Sequence, residues 1–504
     1  MSEPYPCVRT TRGDVRGCAS GGVQRFLGIP FAAPPLGDLR FAAPMPPERW
    51  AGEFAAVAYG PGPIQPVDGL SKTLGLLDDF QQSEDCLTLN LFVPEAEGDA
   101  RAVMVWLHGG AFQTGTASGP VYDGAALARA GDVIVVTLNY RVGALGFLAT
   151  EAPDGANLGL QDQVAALRWV RDEIAPFGGD PDRVCVFGES AGAGSLVALL
   201  AMPSARGLFG RAIVQSAAPE GILSFDEAAE RARIFAIAGG GSEPTIEWLR
   251  SLDARAIPDF QGGCAETGPR RIGMFFAPFV DGEILPEEPM SAIASGAAAD
   301  VELVIGTTAQ EMQLYHLSPG FADVPEALLP RYLAGRIGGS EPDVLERAAV
   351  LLEAYADSEL EGLDRFFELE TDASLFTPAT RLAEAHAAHQ PQTFMYRFDF
   401  RSPLEDGKLG ACHALDVAFA LGNTDRVAHF AGSGEATRRL SGSMMEAWSN
   451  FARTGDPSPR ACRWPRYAAT DRATLILDDP CHVIHAPNES RRCAWAHARK
   501  ETAL

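Results

Sequence analysis

The sequence predicts an α/β protein built around a mostly parallel sheet. After residue 100, short β-branched or apolar runs alternate with longer helical patterns. Continuous apolar strands separated by helices are typical of a parallel sheet that is covered on both faces. The chain also has no repeat of fixed period and no low-complexity tract, which favours one compact unit. The predicted strands are 103–107, 133–138, 184–187, 212–214, 302–306 and 393–398.

Two regions differ from this alternating pattern. Before residue 60, Gly and Pro punctuate short strand-like runs, which predicts an antiparallel edge that extends the main sheet. Between about residues 312 and 388 the chain is helix-rich and acidic, which predicts an inserted helical cap region. A single domain over residues 1–504 with this insertion is the predicted organisation.

Charge and cysteine usage narrow the partners and the compartment. The 41 basic and 66 acidic residues give a formal net charge of −25, which disfavours nucleic acid and anionic lipid as partners. The first residues do not read as a secretory signal, and no run approaches about 18 apolar residues, so no membrane segment is predicted. The nine cysteines form no C-x-x-C pair. A soluble, cytoplasmic protein with reduced thiols is expected.

The strongest local motif is Gly-Glu-Ser-Ala-Gly at residues 188–192. It follows a predicted strand and precedes an apolar helical pattern, and a strand, sharp turn and helix are what a nucleophile elbow needs. Ser190 is therefore a candidate nucleophile, with its Oγ exposed at the carboxyl end of the sheet. A chance match in a glycine-rich chain is the alternative, and the flanking strand and helix disfavour it.

An attacking serine also needs donors for the oxyanion that forms on the substrate. His-Gly-Gly-Ala at residues 108–111 follows another predicted strand, and glycines let backbone N–H groups approach a substrate closely. Gly109, Gly110 and the amide of Ala191 are the oxyanion candidates. A plain strand-to-loop turn is the alternative for this motif taken alone.

Spacing alone does not choose the base and the acid. His413 lies in a small-residue stretch expected to form a loop, whereas His386 and His389 are better explained by a solvated helix face. Glu311 comes a few residues after the strand predicted at 302–306, at the edge where active-site loops of parallel sheets gather. From the residues alone both assignments remain open.

Ordered motifs along nearly the whole chain resemble the type-B carboxylesterase family. They include FLGIPFAAPPLGDLRF from Phe26, SEDCLTLNLFVP from Ser83, NYRVGALGFL from Asn139, FGGDPDRVCVFGESAGAGS from Phe177, VIGTTAQE from Val304 and ACHALDVAFALGN from Ala411. The resemblance implies the α/β-hydrolase fold and a serine carboxyl-ester hydrolase that needs neither metal nor organic cofactor. Its partner is then a small-molecule ester.

The resemblance also implies roles for individual residues. It assigns Ser190 as nucleophile, Glu311 as acid and His413 as base, with oxyanion donors from Gly109, Gly110 and Ala191. It places Glu189 and Ser216 in the hydrogen-bonded shell behind them. It further implies two structural ion pairs, Arg40 with Glu84 and Arg141 with Asp180.

Three departures from the family pattern stand out. Ile64 replaces the cysteine of secreted relatives, so Cys86 is expected to have no disulfide partner. The loop 67–82 lacks the tryptophan with which cholinesterases hold a quaternary ammonium, which disfavours choline esters. The acid motif reads Ala-Gln-Glu-Met where relatives often have an Asp-Glu-Gly ending, so a change of loop geometry near Glu311 is expected, with the carboxylate retained.

Two other functions remain compatible with these residues. The same triad could act on carbamates, lactones or amides, and this fold also serves non-catalytic recognition. A lost triad residue together with a signal and a membrane segment would indicate the second function, and the sequence shows neither.

Overall fold

The structure, a computed structural model, describes residues 5–96, 98–152, 154–217, 219–267, 274–318, 325–338 and 342–500. The strands of these residues are β1 (Cys7–Thr10), β2 (Gly13–Arg16), β3 (Cys18–Ser20), β4 (Val23–Pro30), β5 (Glu53–Ala55), β6 (Thr88–Pro94), β7 (Arg101–Leu107), β8 (Ile134–Leu138), β9 (Gly179–Glu189), β10 (Arg211–Gln215), β11 (Glu302–Thr308), β12 (Thr393–Phe398), β13 (Ala473–Leu477) and β14 (His482–His485).

Helices follow most of these strands. They are α1 (Gly69–Thr73), α2 (Ala125–Gly131), α3 (Gly143–Phe147), α4 (Leu158–Glu173), α5 (Ala191–Ala201), α6 (Phe225–Ala238), α7 (Ile246–Ser251), α8 (Ile257–Thr267), α9 (Pro289–Ala294), α10 (Leu329–Ile337), α11 (Val344–Glu353), α12 (Gly362–Thr371), α13 (Thr377–Ala387), α14 (Leu415–Ala420), α15 (Ala428–Ala431), α16 (Glu435–Thr454) and α17 (Glu489–Ala498). A 3₁₀ helix, Glu311–Leu317, follows β11.

One large sheet organises the described residues, in the strand order β14-β13-β12-β11-β10-β9-β7-β8-β6-β4-β3. Neighbours from β8 through β7 and β9 to β13 are parallel. Strands β3, β4 and β6 extend one end in antiparallel pairs, and β14 pairs antiparallel at the other end. Every strand predicted from an apolar run is present, and β3 and β4 confirm the antiparallel edge of the main sheet. Strands β1, β2 and β5 do not extend that sheet; they form a separate three-stranded one.

The core lies on both faces of this sheet. Along β7, Val103 and Val105 belong to the apolar cluster on one face, and Met104 and Trp106 belong to the cluster on the other. All four side chains are fully buried. Because successive side chains of a strand point to opposite faces, a strand covered on both sides must be apolar throughout. This requirement explains the uninterrupted apolar runs of the sequence.

The region between β11 and β12 has an apolar core of its own. Leu333 of α10, Leu351 of α11 and Phe367 of α12 pack together, and Trp495 of α17 completes the cluster. The indole Nε1 of Trp495 donates a hydrogen bond to the hydroxyl of Tyr355 at 2.7 Å. Helix α13 packs instead into the apolar cluster on the sheet face that carries Val103 and Val105. Residues 319–324 and 339–341 of the predicted insertion lie outside the described residues.

Of the two ion pairs that the resemblance implies, one is present and the prediction of the other is wrong. Arg40 pairs with Glu84, as implied. Arg141 does not pair with Asp180; its Nη2 lies 2.7 Å from Oδ1 of Asp162 on α4, and both side chains are buried. Asp180 pairs with the nearby Arg183 instead. A buried guanidinium needs a partner inside the protein, and Asp162 is the carboxylate that α4 brings there.

The prediction that His386 lies on a solvated helix face is also wrong. His386 is buried, with its Nδ1 2.7 Å from the hydroxyl of Thr393 and its Nε2 3.1 Å from the carbonyl of Val301. Its face of α13 packs against the sheet, so its polar atoms are satisfied by neighbouring backbone and side chains. His389, one turn further on, is exposed as expected.

Candidate active site

Ser190 occupies a sharp turn between β9 and α5. Its backbone has φ 55° and ψ −123°, a conformation that L-residues rarely adopt and that marks a strained turn. Gly192 cannot carry a side chain here, because a Cβ would lie 2.1 Å from the carbonyl oxygen of Leu107. A Cβ on Gly188 would lie 2.8 Å from the same oxygen. The two glycines of the motif therefore let β9, α5 and β7 meet closely enough to present the serine.

The predicted oxyanion loop reaches the same place from the end of β7. A Cβ built on Gly109 would lie 3.2 Å from Cβ of Ser190, so this backbone passes directly beside the serine. Gly110 has φ +116° and no room for a side chain against Thr114. Ala191 begins α5, and the first N–H groups of a helix have no partner within it. Gly109 and Ala191 thus lie directly beside Ser190, and Gly110 follows Gly109 in the same loop.

Buried polar groups hold this loop in place. The hydroxyl of Tyr140 donates to the carbonyl of His108 at 2.6 Å, and the two rings stack with their centroids 4.3 Å apart. Burial lowers the pKa of His108 to about 4, so its imidazole is neutral near pH 7. The amide of Gln65 bonds both the N–H and the carbonyl of Gly115, at 2.6 Å and 2.7 Å. The loop is rigid because its backbone groups are satisfied from several directions.

Glu311 and His413 meet although they are far apart in sequence. Oε2 of Glu311 lies 2.6 Å from Nδ1 of His413. Oε1 of Glu311 accepts a hydrogen bond from the N–H of Thr308 at 2.7 Å, and the carboxyl group is fully buried. The backbone N–H of His413 also donates to the carbonyl of Glu311 at 3.2 Å. Side chains and backbone together fix the imidazole against the acid.

Glu189 lies on the other side of the same imidazole. Its Oε1 is 3.0 Å from Nε2 of His413. Burial raises the pKa of Glu189, and the nearby His413 opposes that rise. Burial alone lowers the pKa of His413, but Glu189, Glu311 and Asp416 together outweigh it, so the pKa of His413 is raised. The imidazole therefore lies among carboxyl groups that stabilise its protonated form.

The family model of the carboxylesterase family matches residues 4–495. The chain belongs to the carboxylesterase family. Across 97% of this carboxylesterase and 98% of its relative, 40% of residues are identical to para-nitrobenzyl esterase of Bacillus subtilis (strain 168). Phenmedipham hydrolase of Pseudarthrobacter oxydans is 36% identical over 94% of this chain and 95% of its own. A solved thermophilic para-nitrobenzyl esterase superposes with a TM-score of 0.88 at 38% identity, over 98% and 100% of the two chains. The protein is a carboxylic ester hydrolase with the α/β-hydrolase fold.

Asp416 of the carboxylesterase is a site residue that the sequence did not single out. Its Oδ2 accepts hydrogen bonds from the hydroxyl of Tyr396 at 2.8 Å and from Nε2 of Gln215 at 3.0 Å. Trp448 donates to the other end of the Gln215 amide at 3.1 Å. Burial raises the pKa of Asp416 to about 6. In the sequence, Asp416 is marked only by its place three residues after His413. That spacing does not reveal that its carboxyl group is buried.

Ser216 lies in the same buried layer, with φ 54°. Its N–H donates to the carbonyl of Gly306 at 2.8 Å, which ties β10 to β11, whereas its hydroxyl has no hydrogen-bond partner among the described residues. The role that the resemblance implies for Ser216 in the shell of the site stays a prediction.

No group of three or more His, Cys, Asp or Glu side chains in the described ranges is arranged to hold a metal ion. No helix within those ranges combines the length and the apolar character needed to cross a membrane.

Proposed function

We propose that the carboxylesterase cleaves small carboxylic esters with Ser190 as nucleophile, His413 as general base and Glu311 as the acid that orients the base. The observation that carries this proposal is the 2.6 Å contact between Glu311 Oε2 and His413 Nδ1 beside the strained turn of Ser190. A nucleophile, a base and a group that orients the base are the parts that acyl transfer needs.

In the first half of the reaction, Nε2 of His413 takes the proton of Ser190 as Oγ attacks the ester carbonyl. Glu311 keeps the proton on Nδ1 and stabilises the imidazolium cation. His413 then protonates the leaving alcohol, and the acyl group remains on Ser190. Water repeats the sequence in the second half, which releases the carboxylic acid and restores the serine.

The negative charge on the attacked carbonyl oxygen is placed against the N–H groups of Gly109, Gly110 and Ala191. Support comes from the position of Gly109 beside Ser190 and from the start of α5 at Ala191. Preorganised donors of this kind are each worth on the order of 100- to 1,000-fold in rate.

The test is a paired assay of wild type, Ser190→Ala and Glu311→Gln on short-chain para-nitrophenyl esters. A fluorophosphonate probe, followed by intact mass and peptide mapping, locates the reactive residue. Wild type is expected to turn over and to be labelled at Ser190. Ser190→Ala should lose both, with kcat lower by about 10⁶-fold. Glu311→Gln should fold but lose on the order of 10³- to 10⁴-fold in kcat, because the imidazole loses its orienting acid. A folded wild type that neither hydrolyses nor labels would overturn the assignment.

The substrate class is tested in the same assay. Carbamates, lactones and amides react with the same triad, and one relative is named phenmedipham hydrolase. A panel should therefore include phenmedipham, a lactone and an anilide of matched size beside the esters. Esters are expected to give the highest kcat/KM, and a higher value for another class would replace the proposed substrate.

The cytoplasm is the proposed compartment. Support comes from the nine cysteines, all of which lie within the described residues and are unpaired. Cys86 is buried beside the Arg40–Glu84 pair and forms no disulfide. Free thiols of this kind are typical of proteins that stay in a reducing compartment. Alkylation of the denatured protein purified from its own cells should modify nine thiols.

A further inference from the structure

The loops that carry the acid and the base are joined directly by backbone hydrogen bonds. The N–H of Gln310 donates to the carbonyl of Ala411 at 2.9 Å. One step further along, the N–H of His413 donates to the carbonyl of Glu311 at 3.2 Å. The segment before the 3₁₀ helix and the segment before α14 are thus held side by side, and the position of each sets the position of the other.

The side chain of Gln310 reinforces this junction. Its Oε1 accepts a hydrogen bond from the N–H of Ala411 at 3.1 Å, and Ala411 is buried. The exposed Arg401 reaches the same oxygen at 3.4 Å. Without this acceptor, the N–H of Ala411 would be a buried donor with no partner, which is unfavourable. The main contact of the Gln310 amide is therefore its hydrogen bond to the loop that carries His413.

Gly410 shows how closely the Gln310 amide is fitted. A Cβ on Gly410 would lie 1.9 Å from Oε1 of Gln310, and Gly410 has φ +57°. Glycine at position 410 of the His413 loop therefore leaves room for the Gln310 amide to lie against the backbone. The acceptor that Gln310 supplies to this loop is uncharged.

We propose that Gln310 is a positioning residue that fixes the His413 loop against Glu311 through an uncharged acceptor. The role rests on the proposed function, because it matters only if Glu311 and His413 act together. The neutral amide has a second effect. Three carboxyl groups already face His413, those of Glu311 from the 3₁₀ helix, Glu189 from β9 and Asp416 from α14. A fourth at position 310 would hold the imidazole protonated over a wider range of pH.

Three variants separate these effects. Gln310→Met keeps the length of the side chain without its acceptor, and kcat is expected to fall by about 10- to 100-fold with little change in KM, because a small displacement of a base has effects of this size. Gln310→Glu keeps the acceptor and adds a charge. It should retain most of the plateau kcat while the acid limb of the kcat/KM profile moves to higher pH. Arg401→Met removes the exposed contact to Gln310 and a second exposed one, to the carbonyl of Gly407 at 3.2 Å, and it should match wild type.

The readouts are kcat and KM against pH and the low-field proton resonance of the hydrogen bond between His413 Nδ1 and Glu311. This resonance should weaken or shift in Gln310→Met and persist in Arg401→Met. The proposal is overturned if Gln310→Met keeps wild-type kcat and resonance, or if Gln310→Glu loses as much plateau kcat as Gln310→Met. Gln310→Ala replaces Gln310→Met if the latter does not fold. Wild type is labelled with fluorophosphonate in parallel. If wild type is labelled and active while the Gln310 variants behave like wild type, only the role of Gln310 is rejected. If wild type is not labelled, both the triad and the role of Gln310 are rejected.

Discussion

Nε2 of His413 lies 3.0 Å from Oε1 of Glu189, the residue directly before Ser190. The other ring nitrogen lies 2.6 Å from Glu311. The imidazole is therefore held between two buried carboxyl groups, one on each nitrogen. In the proposed mechanism Nε2 has to face the serine, so Glu189 competes with Ser190 for the same atom. This competition makes the charge of Glu189 part of the pH dependence of the enzyme.

Glu189→Gln is expected to move the acid limb of the kcat/KM profile to lower pH. The base must be neutral to accept a proton, so activity rises as pH rises through the pKa of His413. Glu189 raises that pKa, so its removal should lower it. The measurement is kcat/KM from pH 5 to 10 on a neutral ester. Glu446→Gln, at a partly exposed carboxylate in α16, is the control, and an acid limb that stays in place in Glu189→Gln contradicts the prediction.

Gly192→Ala and Gly442→Ala should have opposite effects on stability. The new Cβ of Gly192→Ala would overlap the carbonyl of Leu107, so the variant should lose measurable activity and unfold at a lower urea concentration. Gly442 lies exposed in the interior of α16 with nothing within 4 Å of the built Cβ. Its replacement by alanine should stabilise the protein by about 0.5–1 kcal/mol, because alanine is the better helix former. Equal urea midpoints for the two variants would be inconsistent with the turn described at Ser190.

Thr114→Val should lower kcat and leave KM nearly unchanged. The hydroxyl of Thr114 lies 3.0 Å from Oδ2 of Asp68 and 3.1 Å from the carbonyl of Gly110, so it holds the oxyanion loop from outside. A loosened loop weakens stabilisation of the transition state more than it weakens binding of the ester, so a loss of about 10-fold in kcat is expected. A trifluoromethyl ketone inhibitor should lose affinity in parallel with kcat. Thr73→Val, an exposed threonine of α1, is the matched control and should change neither value.

Asp162→Asn should destabilise the fold far more than Asp180→Asn. Asp162 is fully buried and accepts three hydrogen bonds from Arg141, which is 4% exposed. Loss of one partner of a buried pair leaves an uncompensated charge and costs about 3–5 kcal/mol. Asp180 and Arg183 are partly exposed, and loss of such a pair costs less than about 1 kcal/mol. Urea unfolding of the two variants measures the difference, and similar losses would refute the burial argument.

Much of the fold was readable from the sequence because its signals are local. Strand β7 is predicted from its own apolar residues, and the turn at Ser190 is predicted from the glycines on either side of it. These features depend on residues that are close in sequence, and short-range steric rules describe them well.

The parts that the residues alone left open depend on contacts between distant segments. Several histidines follow Ser190, and only the family resemblance selected His413 before the structure placed it against Glu311. Asp416 and the Arg141–Asp162 pair were missed because burial of a carboxylate is decided by what packs over it. The prediction that His386 is exposed was wrong for the same reason, because the sequence of α13 alone does not show which face of the helix packs against the sheet.

Trp495 lies late in the chain, yet it fills the centre of the apolar cluster that α10, α11 and α12 form next to Met312, the neighbour of Glu311. During translation these helices leave the ribosome before α17 exists, and at about 5–20 residues per second they wait on the order of ten seconds for it. Their apolar surface is open for all of that time. We therefore expect a nascent or truncated chain without α17 to expose this surface to chaperones and proteases, and we expect the last helix to cover it once it is made.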